Sequence, residues 1–106
     1  MARALINLPP TAKRGEIVEI KTLFQHPMET GFRPGPNGRI LPRDIIRRFT
    51  CAYDGVLVFA ADLHPATAAN PFLAFSTIAT ETGTLTFTWE GDNGFSRTES
   101  LTLTVL

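Results

Sequence analysis

Cysteine is nearly absent: one residue in 106, Cys51. That excludes an internal disulfide and any cysteine-built zinc cage. Two histidines, His26 and His64, add little, since two ligands do not make a metal site. No cofactor or metal is expected. Net charge is also missing, because ten Lys/Arg balance ten Asp/Glu. A neutral chain of this size does not bind nucleic acid through general electrostatics. Long apolar runs are absent too. The longest are broken by Thr, Pro or Arg, far short of the roughly 20 residues of a membrane helix, so no membrane insertion is expected. The N-terminal stretch Met1–Ile6 stops at Pro9-Pro10 without the apolar region of about 7–15 residues that a secretory signal needs. Alone, that points to the cytoplasm, or to an exported protein whose address lies elsewhere.

What is present is a compact apolar chain. Hydrophobic content is 43% and charged content 19%, too apolar for disorder and of a length for one domain, residues 1–106. Helical periodicity of convincing length is missing, and apolar residues alternate at period two. Glu16–Gln25 places Val18, Ile20, Thr22 and Phe24 on one face, with Glu19 and Lys21 on the other. Phe49, Cys51 and Tyr53 alternate before Asp54-Gly55, a strong two-residue hairpin signal, and Val56–Leu63 is the return strand. Phe72–Ala79 is the next strand. Leu85, Phe87 and Trp89 then oppose Thr84, Thr86 and Thr88, and Leu101, Leu103 and Val105 oppose Thr102 and Thr104. Threonine on the wet face and large apolar groups on the dry face suit half-buried antiparallel strands. With Ala4–Leu8 this gives six or seven strands, and an all-β, immunoglobulin-like antiparallel sandwich is expected. Asp44–Arg48 allows a single helical turn. His26–Arg43, with four prolines and three glycines, reads as a long loop or an irregular hairpin.

Chemistry-bearing constellations are few. Ser76, Ser96 and Ser100 sit in no nucleophile elbow. Gly31, Gly35 and Gly38 are interleaved with prolines and lead into no helix. Glu81, Glu90, Asp92 and Glu99 read as turn and surface residues. Cys51, on an apolar strand face, reads as a small buried hydrophobe, although Arg47 and Arg48 would favour a thiolate were that face open. Charge is unevenly spread: residues 1–53 carry nine basic against four acidic groups, and residues 54–106 one against six. The basic excess around Arg33, Arg39, Arg43, Arg47 and Arg48 is either a solvated, partly paired face or a patch for an acidic partner. His26, Met28 and Glu29 open the long loop. They form either a turn in which Met28 plugs the sandwich end and Glu29 caps an amide, or a recognition surface. His26, Met28, Glu29, Arg43, Arg47 and Arg48 are therefore the candidate partner-binding residues; catalytic residues are not indicated.

Four segments carry a resemblance. They are Ile20–Leu23 running into His26-Pro27-Met28-Glu29-Thr30-Gly31; Ile40–Ile46 running into Phe49-Thr50-Cys51; Ala69-Asn70-Pro71-Phe72 with Phe75; and Phe87-Thr88-Trp89 ahead of Asp92-Asn93-Gly94. Together they resemble SoxZ, the Z-subunit family of the sulfur-oxidation carrier complex SoxYZ. Gly91 departs from the pattern, since relatives tend to have an acidic residue there, which puts the geometry of that turn in question. The resemblance implies an immunoglobulin-like sandwich that is not an enzyme and that binds and scaffolds a SoxY-type subunit as a heterodimer. The Y subunit's C-terminal cysteine arm carries thiosulfate-derived sulfur between Sox enzymes, which the complex contacts transiently. The present chain ends in a strand, with no glycine-rich tail and no cysteine after Cys51, so the scaffold role is the one expected. Periplasmic location by co-export with a signal-bearing partner is implied as well. The competing readings are a free-standing immunoglobulin-like module that binds a protein or ligand, and a thiol enzyme acting through Cys51.

Overall fold

A computed structural model describes residues 3–106. Its eight strands are β1 (Ala4–Asn7), β2 (Thr11–Ala12), β3 (Ile17–Phe24), β4 (Ile46–Tyr53), β5 (Val56–Asp62), β6 (Phe72–Ile78), β7 (Gly83–Gly91) and β8 (Ser96–Val105). They form a three-stranded sheet, β1-β3-β6, facing a five-stranded sheet, β2-β8-β7-β4-β5. The architecture is the expected all-β sandwich. One strand more than expected arises at Pro9-Pro10. Proline cannot donate to a ladder, so the chain leaves β3, which β1 pairs antiparallel, and crosses to run parallel to β8 as β2. The first segment thus tacks the two sheets together.

The helical turn entertained for Asp44–Arg48 is not formed. Ile45 and Ile46 are buried, and β4 starts at Ile46. Burial of two adjacent β-branched residues against opposite neighbours outweighs the local helix signal. The Asp54-Gly55 turn is as expected: both residues have positive φ, 48° and 82°, and Tyr53 faces Val56 across it. This is the backbone twist that joins antiparallel strands most tightly.

The core is aromatic. Phe49 lies 5.1 Å from Trp89, 5.8 Å from Phe75 and 6.4 Å from Phe87, ring centre to ring centre, and Phe59 stacks on Phe75 at 4.4 Å. Each such side chain contributes roughly 1.5–3 kcal/mol by leaving water. The Tyr53 hydroxyl, at the margin of this core, donates to the Glu81 carbonyl and fixes the β6–β7 connection.

Gly91 answers the question raised by the sequence. A Cβ there would meet the Ile45 carbonyl oxygen at 2.4 Å and Ile46 Cα at 3.0 Å. The β7 end packs backbone against backbone on the start of β4, and only glycine leaves room. The turn that follows is a three-residue 3-10 turn, Asp92–Gly94, with Asn93 at φ 60°.

Candidate partner-docking surfaces

Residues 26–44 form an ordered hairpin projecting from the sandwich. Glu29 and Asp44 exchange both backbone hydrogen bonds, at 2.9 and 2.8 Å. Further out, Leu41 N–H donates to the Arg33 carbonyl and Gly35 N–H to the Arg39 carbonyl. The four prolines and this ladder together restrict the segment before any partner arrives. Its outer part exposes Phe32 and Ile40, 78% and 58% accessible.

The structure brings the six candidate residues to the base of this hairpin. His26 and Met28 lie beneath the surface, 6% and 3% accessible. The Met28 backbone N–H donates to His26 Nδ1 at 2.9 Å, which fixes Nδ1 as the acceptor nitrogen. His26 Nε2 faces Asp44 Oδ1 at 4.0 Å, and the ring meets Phe95 edge-on. Met28 Sδ accepts the Ile46 N–H at 3.3 Å, and Met28 has φ 53°. In this arrangement the thioether is a plug that satisfies a strand amide, with no free surface for adaptable contact. Glu29 pairs with Arg33 at 2.6 Å, and that guanidinium holds the Glu29 carboxyl below its ordinary value. Glu29 also accepts from the Thr30 backbone N–H, so it meets both an arginine and the amide that the turn reading expected.

The arginines are engaged on this chain's own carboxylates. Arg43 forms a two-pronged pair with Asp92, at 2.8 and 2.9 Å, and Arg47 approaches the same carboxylate at 3.2 Å. Asp92 also accepts the Ile45 N–H at 3.2 Å. Arg48 pairs with Asp62 at 2.9 Å. Asp92 is the residue sequence reasoning passed over: read as a surface turn acid, it bolts the hairpin base to the β7–β8 turn. Its place directly before Asn93-Gly94 was the available signal, because such acids are aimed by the turn geometry itself.

The Arg43 guanidinium holds the Asp92 carboxyl below its ordinary value of 3.8. A lowered native value stabilises the fold at pH above the unfolded value, and that contribution is lost as pH falls through the native value. Acid is therefore expected to loosen the hairpin base, read as a lower protection factor for the Ile45 amide once the intrinsic pH dependence of exchange is divided out. Asp92→Asn is expected to show the acid-like protection factor already at neutral pH and to flatten its acid dependence. Unchanged exchange in the variant would remove Asp92 from this role.

A second surface lies on the outer face of the three-stranded sheet. Cross-strand register places Leu5, Leu23 and Phe72 in one row, and Ile17 and Ile78 in another. Between them lie Lys21 and Glu19, paired at 3.4 Å. Ile17, Phe72 and Ile78 are 71%, 57% and 55% accessible. The outer face of the other sheet is hydroxyl-clad, with Thr84, Thr86 and Thr88 opposite Thr102, Ser100 and Thr98.

Cys51, the one thiol, is fully buried, and desolvation pushes its pKa up to about 12. Among the described residues no group of three or more His, Cys, Asp or Glu is gathered to hold a metal ion. No helix of the described residues is long and apolar enough to cross a membrane.

Residues 6–102 match the family described as "Sulphur oxidation protein SoxZ". No curated protein matches the chain. Among solved structures, the chain is similar to a superoxide reductase (neelaredoxin) from Ignicoccus hospitalis, with TM-score 0.77 and 15% identity over 97% of this chain and 80% of that one. It is similar too to the sulfur carrier protein SoxY from Chlorobium limicola f. thiosulfatophilum, with TM-score 0.69 and 13% identity over 97% of this chain and 78% of that one. At such identities the likeness is one of fold.

Proposed function

Because the chain belongs to the SoxZ family of sulfur-oxidation proteins, we propose that it is the non-catalytic half of a heterodimeric sulfur carrier, binding and scaffolding a SoxY-type subunit. In this reading the Y subunit's C-terminal cysteine arm holds the thiosulfate-derived sulfur and presents it to the enzymes of the pathway. Those enzymes touch the complex only transiently, and the complex resides in the periplasm with a signal-bearing partner.

One observation carries the reading: Cys51 is sealed between the sheets as a neutral thiol. Carrying sulfur requires an exposed thiolate to attack or be attacked. Cys51 has neither the exposure nor the charge, which supports placing the sulfur-bearing group on another chain. That a sulfur carrier protein, SoxY, shares this fold supports a pair of like sandwiches.

Native mass spectrometry of the protein purified from its own cells grown on thiosulfate tests this. The expected species is a one-to-one complex with a second small chain whose mass alone carries sulfur adducts. A bare monomer would favour an independent binding module, and a sulfur adduct on this chain would return Cys51 to the chemistry.

A further inference from the structure

The sandwich has two unlike outer faces, and one of them is not finished as a solvent surface. On β7 and β8 the outward positions are threonine and serine, and Thr88 and Thr98 hydroxyls meet at 3.3 Å. Such a face is content in water. On β1, β3 and β6 the outward positions include Leu5, Leu23, Phe72, Ile17 and Ile78. Ile78 also lines an open groove of about 660 Å3 between the free edges of β6 and β5, alongside Val56 and Val58. The groove is lined otherwise by polar groups, among them Ser76, Thr77, Thr80 and Glu81, and Val56 in its lining is 67% accessible.

We propose that the outer face of the β1-β3-β6 sheet, extended into the β5–β6 groove, is the surface that docks the SoxY-type subunit, sheet against sandwich. The proposal rests on the heterodimer reading above and adds where the partner sits. Size favours it. Strands of four, eight and seven residues make a plate of at most about 14 by 26 Å. Its outward residues and the groove lining together come close to the lower end of the roughly 20–30 residues that a standard stable interface takes from each side. Neither the plate alone nor the hairpin tip, with only Phe32 and Ile40 to offer, reaches that size. Composition favours it at both ends of the plate, where Leu5, Leu23 and Phe72 form one apolar row and Ile17 and Ile78 another, since apolar and aromatic residues mark the buried part of stable interfaces.

The charged pair at the centre of the plate then acquires a role. Lys21 and Glu19 are about half and two-thirds exposed in the free chain. Docking removes them from water as a pair. A buried pair adds little affinity over an apolar replacement, yet it disfavours any register that leaves either charge unmatched. Lys21 and Glu19 thus fix the orientation of the partner between the two apolar rows.

The experiment is co-expression with the partner subunit encoded by the same cells, followed by native mass spectrometry and titration of the purified chains. Phe72→Glu with Ile78→Lys places charge on the plate; Thr86→Lys with Thr102→Glu does the same on the opposite face. Trp89 fluorescence confirms that each variant is folded. The expected result is a loss of partner affinity of at least about thirtyfold for the first pair and wild-type affinity for the second. Wild-type affinity in the plate variant overturns the assignment of the face, while leaving the heterodimer intact. A wild-type chain that forms a dimer with itself through this plate overturns the choice of occupant. Absence of any wild-type complex overturns the carrier-subunit reading itself.

Discussion

Phe49→Ala is expected to cost about 3–5 kcal/mol, a large share of the roughly 5–15 kcal/mol that holds a domain of this size folded. The reason is position. Phe49 is fully buried on β4, whose two neighbours in the sheet are β5 and β7. It touches Phe59 on β5, Phe87 and Trp89 on β7, and Phe75 on the facing sheet. Removing the ring leaves a cavity bounded by four other rings, and rings cannot rearrange to fill it as flexible aliphatic chains would. Trp89 is the one tryptophan and is 1% accessible, so its emission reports unfolding directly. A denaturant titration followed at Trp89 is expected to show a midpoint far below wild type, with Phe49→Leu falling between the two. A wild-type midpoint for the alanine variant would mean that the two sheets are held by something other than this cluster.

The same cluster explains what was legible in the sequence. Period-two alternation named its members correctly: Val18, Ile20 and Phe24 on β3, Phe49, Cys51 and Tyr53 on β4, and Leu85, Phe87 and Trp89 on β7 are all buried. Alternation works here because a two-sheet sandwich buries one side of each strand. It failed where the rule has an exception. Residues 17 and 23 share parity with Glu19 and Lys21, so Ile17 and Leu23 had to lie on the face read as wet. Two charged residues in the middle hid an apolar plate at both ends. That surface is a property of three strands in register, and no single strand displays it. The split into β1 and β2 was invisible for a related reason: two residues paired parallel to β8 are too short to show a period.

The candidate site was legible as a location and not as an arrangement. The histidine, methionine, glutamate and arginines do converge on one end of the molecule. Their partners decide what they do there, and the partners are remote in sequence. Asp92 stands 49 positions from Arg43, and Asn70 stands 44 from His26, whose N–H its side chain accepts. A basic excess counted along the chain therefore could not separate a partly paired face from a patch for an acidic partner. In space Asp92 and Asp62 engage Arg43, Arg47 and Arg48. Exposed pairs of this kind add little stability individually. Shared on one carboxylate, they instead fix where the projecting hairpin points, which is a geometric contribution to any docking that uses it.

Thiol reagents are expected to modify Cys51 in the folded protein at least about a thousandfold more slowly than in the unfolded chain. Modification needs a thiolate and a path to it. The path is closed because the side chain points between the sheets from β4, flanked across the ladder by Phe59 and Phe87. Peeling the edge strand β5 away does not open it; the sheets themselves must part, which is global unfolding. With at least about 5 kcal/mol opposing that event, the open fraction is below roughly one in a thousand. Burial also holds the thiol at about 12, so in the closed state it is protonated at neutral pH. The raised native value has a sign that can be read separately. Between the ordinary thiol value of 9.0 and about 12, the folded state keeps a proton that the unfolded state has lost. Stability is therefore expected to fall as pH climbs through that window, and Cys51→Ala to lack this part of the fall. Labelling in the presence and absence of denaturant, with the rate followed against denaturant concentration, measures the first effect. A native rate close to the unfolded one would show the thiol to be within reach of a sulfur donor, and would remove the ground on which the carrier cysteine was assigned to another chain. Slow labelling that tracks global unfolding supports the proposal that this chain serves sulfur oxidation through what it binds.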